Sequence, residues 1–295
     1  ELIEIMKKYP GLLTEYTLVY EKKPNPEFDS NGIPFGIQPD YSNPFLDSDG
    51  EMRSVYVYRP SSLKPMMSVH AMIVLTDDGN AQNFEKCLVH SGLMELSEKE
   101  SFFLIFCVSK GVWRETDTMY LRQVIRAVAI SCVFPGRERC HDYKIGIVAE
   151  GKGSDLAHRT VAETPDNINS MLTFAGTVSE ELLNYNPDGA ATTVWMVNPT
   201  GNGKEFWYKA NGLEPSVSAE VGNSIICKNP NNRSFQVRII NSCHKKFDRG
   251  IILSFWNEVF KWNINPFSTN RGRISNILDP LEKFKPSIHI GDRSL

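Results

Sequence analysis

The stretch with the strongest chemical signature is "YKIGIVAEGKGSDLAHRTVAETPD", residues 143–166. An apolar strand runs through a glycine-rich corner into a helix, which is the layout of the G-x-S-x-G nucleophile elbow of hydrolases. Here the corner reads A-E-G-K-G, so Gly151 stands where the attacking serine would be, and the last glycine is Gly153. Glycine adopts the positive φ of such a corner but supplies no nucleophilic oxygen. The stretch therefore predicts the backbone of an elbow without its nucleophile.

Two residues beside the corner could take part in chemistry. The backbone N–H of Lys152, at the start of the helix, is where an oxyanion would be stabilised, while its side chain is expected in solvent. Ser154 is the nearest hydroxyl and lies three residues past the corner. Ser154 could be a displaced nucleophile, but a serine in the first turn is more typical of helix capping.

The elements that must position these residues alternate between strands and helices. This order predicts a mainly parallel sheet covered by helices on both faces, in one domain. His70 and His158 are expected to be incidental strand and helix residues, and most of the tryptophans (Trp195, Trp207, Trp256 and Trp262) to pack in the core. Strands are predicted at 53–60, 68–76, 101–110, 143–150, 170–177, 192–199 and 234–242, and helices at 87–100, 116–134, 154–165, 204–212 and 250–262.

Composition excludes several classes of protein. The chain has 295 residues, 41% hydrophobic and 23% charged, as in ordinary globular proteins. A net charge of −3 argues against nucleic-acid binding, because there is no basic excess to neutralise phosphates. No apolar run reaches the roughly 20 residues of a membrane-spanning helix. We therefore expect no nucleic-acid partner and no membrane span.

The cysteines and the first residue bear on location. No C-x-x-C pair is present, so we expect no zinc site or other metal, and Cys132 and Cys140 flank a Pro-Gly turn across which they could bridge. Because the sequence starts at Glu1, it could be a processed secreted protein or a trimmed one. We expect a secreted or cell-surface protein, with the cytoplasm as the alternative. The six cysteines are Cys87, Cys107, Cys132, Cys140, Cys227 and Cys243.

The order of segments resembles the secreted esterase branch of the α/β-hydrolases, which includes polyhydroxybutyrate depolymerases and feruloyl esterases. The resemblance rests on "VLTDDGNAQNF", "SGLMELSEKESFFLIF", "TDTMYLRQVIRAVAIS" and "LAHRTVAETPDNINSMLTFAG", and it covers roughly residues 53–262. It implies a three-layer α/β-hydrolase sandwich with a central, mostly parallel sheet. The expected organisation is an irregular N-terminal extension (1–50), the hydrolase domain (51–265) and a C-terminal tail (266–295).

The resemblance also implies where the other site residues belong. The acidic member of the triad falls on Asn202, in "NPTGNG", and the histidine on His244, in "IINSCHKKFD". An amide cannot stabilise an imidazolium as a carboxylate does. The loop that contributes to the oxyanion hole reads Thr76-Asp77, and Asp77 would place negative charge where an oxyanion must form.

Two functions follow from these residues. The favoured one is an esterase-like protein that is catalytically inactive or impaired and whose cleft still binds a small ester, acyl or carbohydrate ligand. The alternative is an active carboxylic-ester hydrolase, an esterase or depolymerase, that uses Ser154 with His244. Neither requires a cofactor. A nucleotide-binding protein is set aside, because no G-x-G-x-x-G run follows an early strand.

Overall fold

The computed structural model of the chain describes residues 9–18, 53–64, 68–80, 87, 90–129, 139–163, 168–184, 192–232, 234–263 and 287–289. Its strands are β1 (Leu12–Leu18), β2 (Arg53–Arg59), β3 (Ser68–Leu75), β4 (Phe103–Cys107), β5 (Arg139–Glu150), β6 (Ser170–Phe174), β7 (Thr177–Val178), β8 (Thr193–Val197), β9 (Thr200–Gly201), β10 (Ala219–Val221), β11 (Ser224–Lys228), β12 (Gln236–Ile240) and β13 (Ser287–His289). Its α-helices are α1 (Leu93–Glu100), α2 (Asp117–Ala129), α3 (Lys152–Glu163), α4 (Glu180–Asn184), α5 (Gly203–Ala210) and α6 (Arg249–Phe255). A π-helical turn, Trp256–Phe260, continues α6.

Eleven of the described strands form one sheet in the order β10-β11-β12-β8-β6-β5-β3-β4-β2-β1-β13. The six central strands, from β12 to β4, are parallel to their neighbours. The flanking strands pair antiparallel at both sides. The predicted mainly parallel sheet is confirmed.

Helices cover both faces of this sheet, because successive side chains of a strand point to opposite faces. Ile73 of β3 and Ile147 of β5 belong to the core shared with α2, α3 and α5. Their chain neighbours Val74 and Val148 belong to the core shared with α1 and α6. Burial on both faces explains why β3, β4 and β5 read as continuous apolar runs. The chain has the predicted three-layer sandwich.

Of the other predictions from the sequence, some are confirmed and some are wrong. Trp195, Trp207 and Trp256 are buried as predicted, but Trp262 is 70% exposed. The hairpin of β10 and β11 was not predicted. The predicted helix at 116–134 is confirmed as α2 as far as Ala129, and its remainder lies outside the described residues. Cys132 also lies outside them, and with it the predicted bridge to Cys140.

The terminal segments are described only in small part. Seven residues of the predicted extension at 1–50 form β1, which pairs with β2 on one side and with β13 of the predicted tail on the other. Most of both segments lies outside the described residues. The boundaries at 50 and 265 therefore stay a prediction.

Candidate functional site

The predicted site residues follow the carboxyl ends of the parallel strands. Asp77 follows β3, Gly151 follows β5, Asn202 comes after β8 and the short β9, and His244 follows β12. Carboxyl ends of parallel strands share one edge of a sheet, which is where open α/β sheets bind ligands. The fold thus brings all four residues to the same edge, and their contacts decide what they can do there.

The corner after β5 has the backbone of an elbow. Gly151 has a φ of +54°, in the left-handed region that favours glycine. Its N–H donates to the carbonyl of Phe174 at 2.9 Å, and its own carbonyl accepts from the N–H of Ser154 at 3.0 Å, at the start of α3. The chain therefore turns sharply from strand to helix at the predicted residue.

The carboxylate of Asp77 fills the space in front of this corner. The N–H of Lys152 donates to Asp77 Oδ1 at 2.8 Å, within the range in which oxyanion-hole donors bind their oxyanion. A Cβ placed on Gly151 would lie 1.9 Å from the same oxygen. One carboxylate oxygen thus accepts the hydrogen bond of the donor at the helix N-terminus and also fills the space that a nucleophile side chain would need.

The turn that carries Asp77 is fixed from behind. Thr76 is buried, and its carbonyl accepts a hydrogen bond from Trp113 Nε1 at 2.7 Å. The ring of Trp113 packs on Gly79, where an added Cβ would come within 2.5 Å of it. The N–H of Ser109 donates to the Gly79 carbonyl at 2.8 Å. Asp77 therefore projects from a turn held by the loop after β4.

Ser154 lies behind the corner rather than in the cleft. Its side chain is fully buried, and its Oγ donates to the carbonyl of Phe174 at 3.1 Å. A Cβ on Gly176 would lie 2.5 Å from the Ser154 Cβ, so the backbone of Gly176 closes over it. The hydroxyl ties α3 to the end of β6. To attack a substrate it would have to leave that bond and its enclosure.

His244 is exposed and lies on a loop that Asn198 holds. Asn198 Nδ2 donates to the carbonyls of Ser242 and His244, at 2.7 and 2.8 Å, and Asn198 Oδ1 accepts the N–H of Ser242 at 2.9 Å. His244 Nε2 lies 3.6 Å from Asp248 Oδ2, and the His244 side chain is 59% exposed. The imidazole thus faces a carboxylate from its own loop.

Asn202 has a structural place at the start of α5. Its carbonyl accepts the N–H of Phe206 at 3.0 Å, and its side chain makes no capping hydrogen bond. The amide that contacts the histidine loop belongs instead to Asn198, the first residue after β8. Asn198 has a φ of +47°. Asparagine tolerates this conformation better than most residues, and this tolerance is the signal that could have singled Asn198 out.

Glu150 joins the two loops of the site from beneath. Its Oε2 accepts the N–H of Phe247 at 3.0 Å, and it is also hydrogen-bonded by the backbone of Asp77. Burial raises the pKa of Glu150, and the hydrogen bond from Phe247 and the charge of Lys246 oppose that rise. The sequence signal for Glu150 is a charged residue at the end of a buried strand.

We expect Glu150→Gln to cost more stability at low pH than at neutral pH. Because the folded-state pKa is raised, the contribution of this group is fully present below its unfolded pKa and is lost as the pH rises through the folded value. Glutamine keeps an acceptor for the Phe247 N–H and does not titrate. The free energy of unfolding, measured in urea, should lie below that of the wild type at pH 4, and this deficit should shrink by pH 7. An equal change in both proteins would contradict this assignment.

His158 lies inside the molecule, one turn along α3 from Ser154. It is buried, its Nδ1 accepts from Trp207 Nε1 at 2.9 Å, and its Nε2 lies 3.2 Å from Thr173 Oγ1. Burial lowers the pKa of His158 to about 3. The ring is therefore neutral at ordinary pH and carries its proton on Nε2, donating to Thr173. It serves the core, as the sequence suggested.

Two features that would define other kinds of site are absent from the described part of the chain. No group of three or more histidine, cysteine, aspartate or glutamate side chains is arranged to hold a metal ion there. Nor is any helix there both long and apolar enough to cross a membrane.

Comparisons with known proteins rest on structure alone. No family model matches the sequence, and no curated protein does either. Acetyl xylan esterase from Aspergillus awamori matches over 69% of this chain and 93% of its own, with 13% identity and a TM-score of 0.50. Esterases from Rhizomucor miehei match over 62% and 51%, at 12% identity and a TM-score of 0.38. A 2,6-dihydroxy-pseudo-oxynicotine hydrolase matches over 52% of this chain and 51% of its own, with 13% identity and a TM-score of 0.35.

At such identities the likeness bears on the fold. The likeness agrees with a central, mostly parallel sheet that helices surround. The chain has the α/β-hydrolase fold and is similar in structure to esterases built on it.

Proposed function

We propose that this protein is a non-catalytic, esterase-like member of the α/β-hydrolase fold that keeps a ligand-binding cleft at the carboxyl edge of its sheet. The ligand is a small ester, acyl or carbohydrate compound, the classes that the resemblance implies and that the likeness to a xylan esterase supports. The protein binds this ligand without cleaving it.

The carboxylate of Asp77 carries the proposal. Acyl transfer to water needs a nucleophile at the corner and free N–H donors for the oxyanion. Gly151 supplies no nucleophile. The Lys152 N–H is not free, because it donates to Asp77 Oδ1. A negative charge in that position would also repel the developing oxyanion, so the geometry opposes both halves of the reaction.

The remaining positions support the same conclusion. The two residues after β8 that could replace the triad carboxylate, Asn198 and Asn202, are both amides. The serine alternative would need Ser154 to leave full burial and its bond to Phe174. No contact of the described residues favours that movement.

The direct test is turnover and labelling of the unmodified protein. We expect no hydrolysis of para-nitrophenyl acetate or butyrate above the rate in buffer, and no labelling by a fluorophosphonate probe. Ser154→Ala serves as the matched control and should behave identically. Ester turnover together with labelling that disappears in Ser154→Ala would overturn the proposal in favour of a displaced nucleophile.

A second experiment tests the elbow itself. In the triple variant Asp77→Gly, Gly151→Ser, Asn202→Asp, we expect fluorophosphonate labelling at position 151. The same variant with Asp77 retained should remain unlabelled, because the carboxylate still fills the slot. Circular dichroism establishes folding in each case. A folded triple variant that stays unlabelled at position 151 would contradict the assignment of the elbow.

A further inference from the structure

A groove of about 350 Å³ opens beside the N-terminus of α3, next to the Asp77 carboxylate. Its walls come from the segments after β4, β5 and β6, so it lies at the same edge of the sheet as the elbow. The volume is at the lower end of ordinary ligand pockets. Trp113, Leu156 and Leu182 supply its apolar surface.

The aromatic wall of the groove is rigid. The indole N–H of Trp113 is bonded to the Thr76 carbonyl at 2.7 Å. The next residue, Arg114, is fixed through its backbone N–H, which donates to Asp117 Oδ2 at 2.8 Å, and Asp117 is itself paired with Arg53. A ligand that enters the groove therefore meets a surface that does not have to be ordered first.

The acidic side chains of the groove are committed to partners within the protein. Asp155 accepts the N–H of Thr177 at 2.7 Å and pairs with Lys152 Nζ at 2.9 Å. Glu115 Oε1 lies 3.0 Å from Arg159 Nη1. Arg159 also lies 3.2 Å from a carboxylate oxygen of Glu163 and 3.9 Å from one of Glu181, so carboxylates of the protein meet its charge.

Of the three basic residues that line the groove, Lys152 and Arg159 are paired with carboxylates, and in the described part of the chain Arg114 is not. Its side chain is exposed and lines the groove, and within the described residues its guanidinium makes no hydrogen bond or ion pair. Guanidinium groups bind carboxylates through two parallel hydrogen bonds.

We propose that the groove binds an organic carboxylate with a compact apolar or aromatic body, the carboxylate on Arg114 and the body against Trp113, Leu156 and Leu182. This inference rests on the proposed function, in that the ligand is bound and not turned over. Among the ligand classes of the proposed function, the inference selects the acyl compounds, in the form of the free carboxylic acid. An uncharged ligand of the same shape would leave the guanidinium without a partner and would bind more weakly.

Benzoate and benzamide test the proposal, since they share a body and differ in charge. Isothermal titration calorimetry at low salt should give a Kd for benzoate about tenfold lower than that for benzamide. Arg114→Gln should raise the benzoate Kd about tenfold and leave that of benzamide unchanged. Arg249→Gln is the matched control, because Arg249 is also an exposed arginine but lies on α6 outside the groove.

Each outcome decides the matter. Equal affinities for benzoate and benzamide, equal effects of Arg114→Gln and Arg249→Gln, or no binding of either probe by the wild-type protein would overturn the proposal. Neither probe contains an ester. Turnover of para-nitrophenyl esters would therefore contradict the proposed function alone, while the benzoate titration reports on the groove.

Discussion

Gly151→Ser should destabilise the protein by about 2–5 kcal/mol, because the new side chain meets two obstacles. A residue with a Cβ is strained at a φ of +54°, and this Cβ would lie 1.9 Å from Asp77 Oδ1. Such a loss is a large part of the stability of an ordinary domain. The free energy of unfolding from urea titrations measures it.

Two variants separate the obstacles. Gly222→Ser is the matched control for strain, because Gly222 has a φ of +60° and an added Cβ there meets nothing within 4 Å. It should cost about 1–2 kcal/mol. Asp77→Gly in the Gly151→Ser background should recover about 1–3 kcal/mol by removing the collision, whereas Asp77→Asn, which keeps the volume, should not. Strictly additive effects of Gly151→Ser and Asp77→Gly would refute the contact.

His158→Phe should cost about 2–4 kcal/mol at neutral pH, because it deprives two buried groups of their partner. Phenylalanine fills most of the space of the ring but cannot accept from Trp207 Nε1 or bond to Thr173 Oγ1. Adding Thr173→Val removes one of these unpaired groups and should return part of the loss. No recovery in the double variant would contradict the buried hydrogen-bond chain.

The same variant should change the response to acid. Because the folded-state pKa of His158 is lowered to about 3, the unfolded chain takes up a proton below pH 6.5 that the folded protein refuses. Stability from this group is full above pH 6.5 and is lost as the pH falls towards 3. The deficit of His158→Phe should therefore shrink by about 2 kcal/mol between pH 6.5 and pH 5.

A matched control guards this interpretation. Burial, aided by Lys144 and Lys261, lowers the pKa of His70 to about 4, so this histidine contributes a similar acid sensitivity from another face of the sheet. His70→Phe should change the pH dependence of the free energy of unfolding, and the size of this change should not depend on whether His158→Phe is also present. A deficit in His158→Phe that is constant with pH would show that the ring is not held neutral.

The central strands could be predicted because each depends on its own residues. β3, β4 and β5 are buried on both faces, and continuous apolar runs report that directly. β10 and β11 could not be predicted, because an exposed antiparallel hairpin depends more on the strand with which it pairs than on the pattern of its own residues. Its outermost strand, β10, is exposed at all three residues.

The candidate site divides in the same way. A glycine corner between a strand and a helix is a local feature, and it was recognised from adjacent residues. The contact that closes it was not, because Asp77 and Lys152 are 75 positions apart. Asn198 and His244, 46 apart, meet only through the fold. The motif alone places the acidic position at Asn202 and does not reveal that the amide of Asn198 holds the histidine loop.

The hydrogen bonds between Asn198 and that loop affect how the site can change during evolution. Its amide contacts the backbone of Ser242 and His244, not their side chains. Amide and carbonyl groups are the same whatever residue bears them, so substitutions along the loop leave these three bonds in place. Asn198, together with the bond from the Phe247 N–H to Glu150, holds the path of the loop, while the side chains displayed on it are free to change. A reaction can thus be lost, and another ligand acquired, on an unaltered frame.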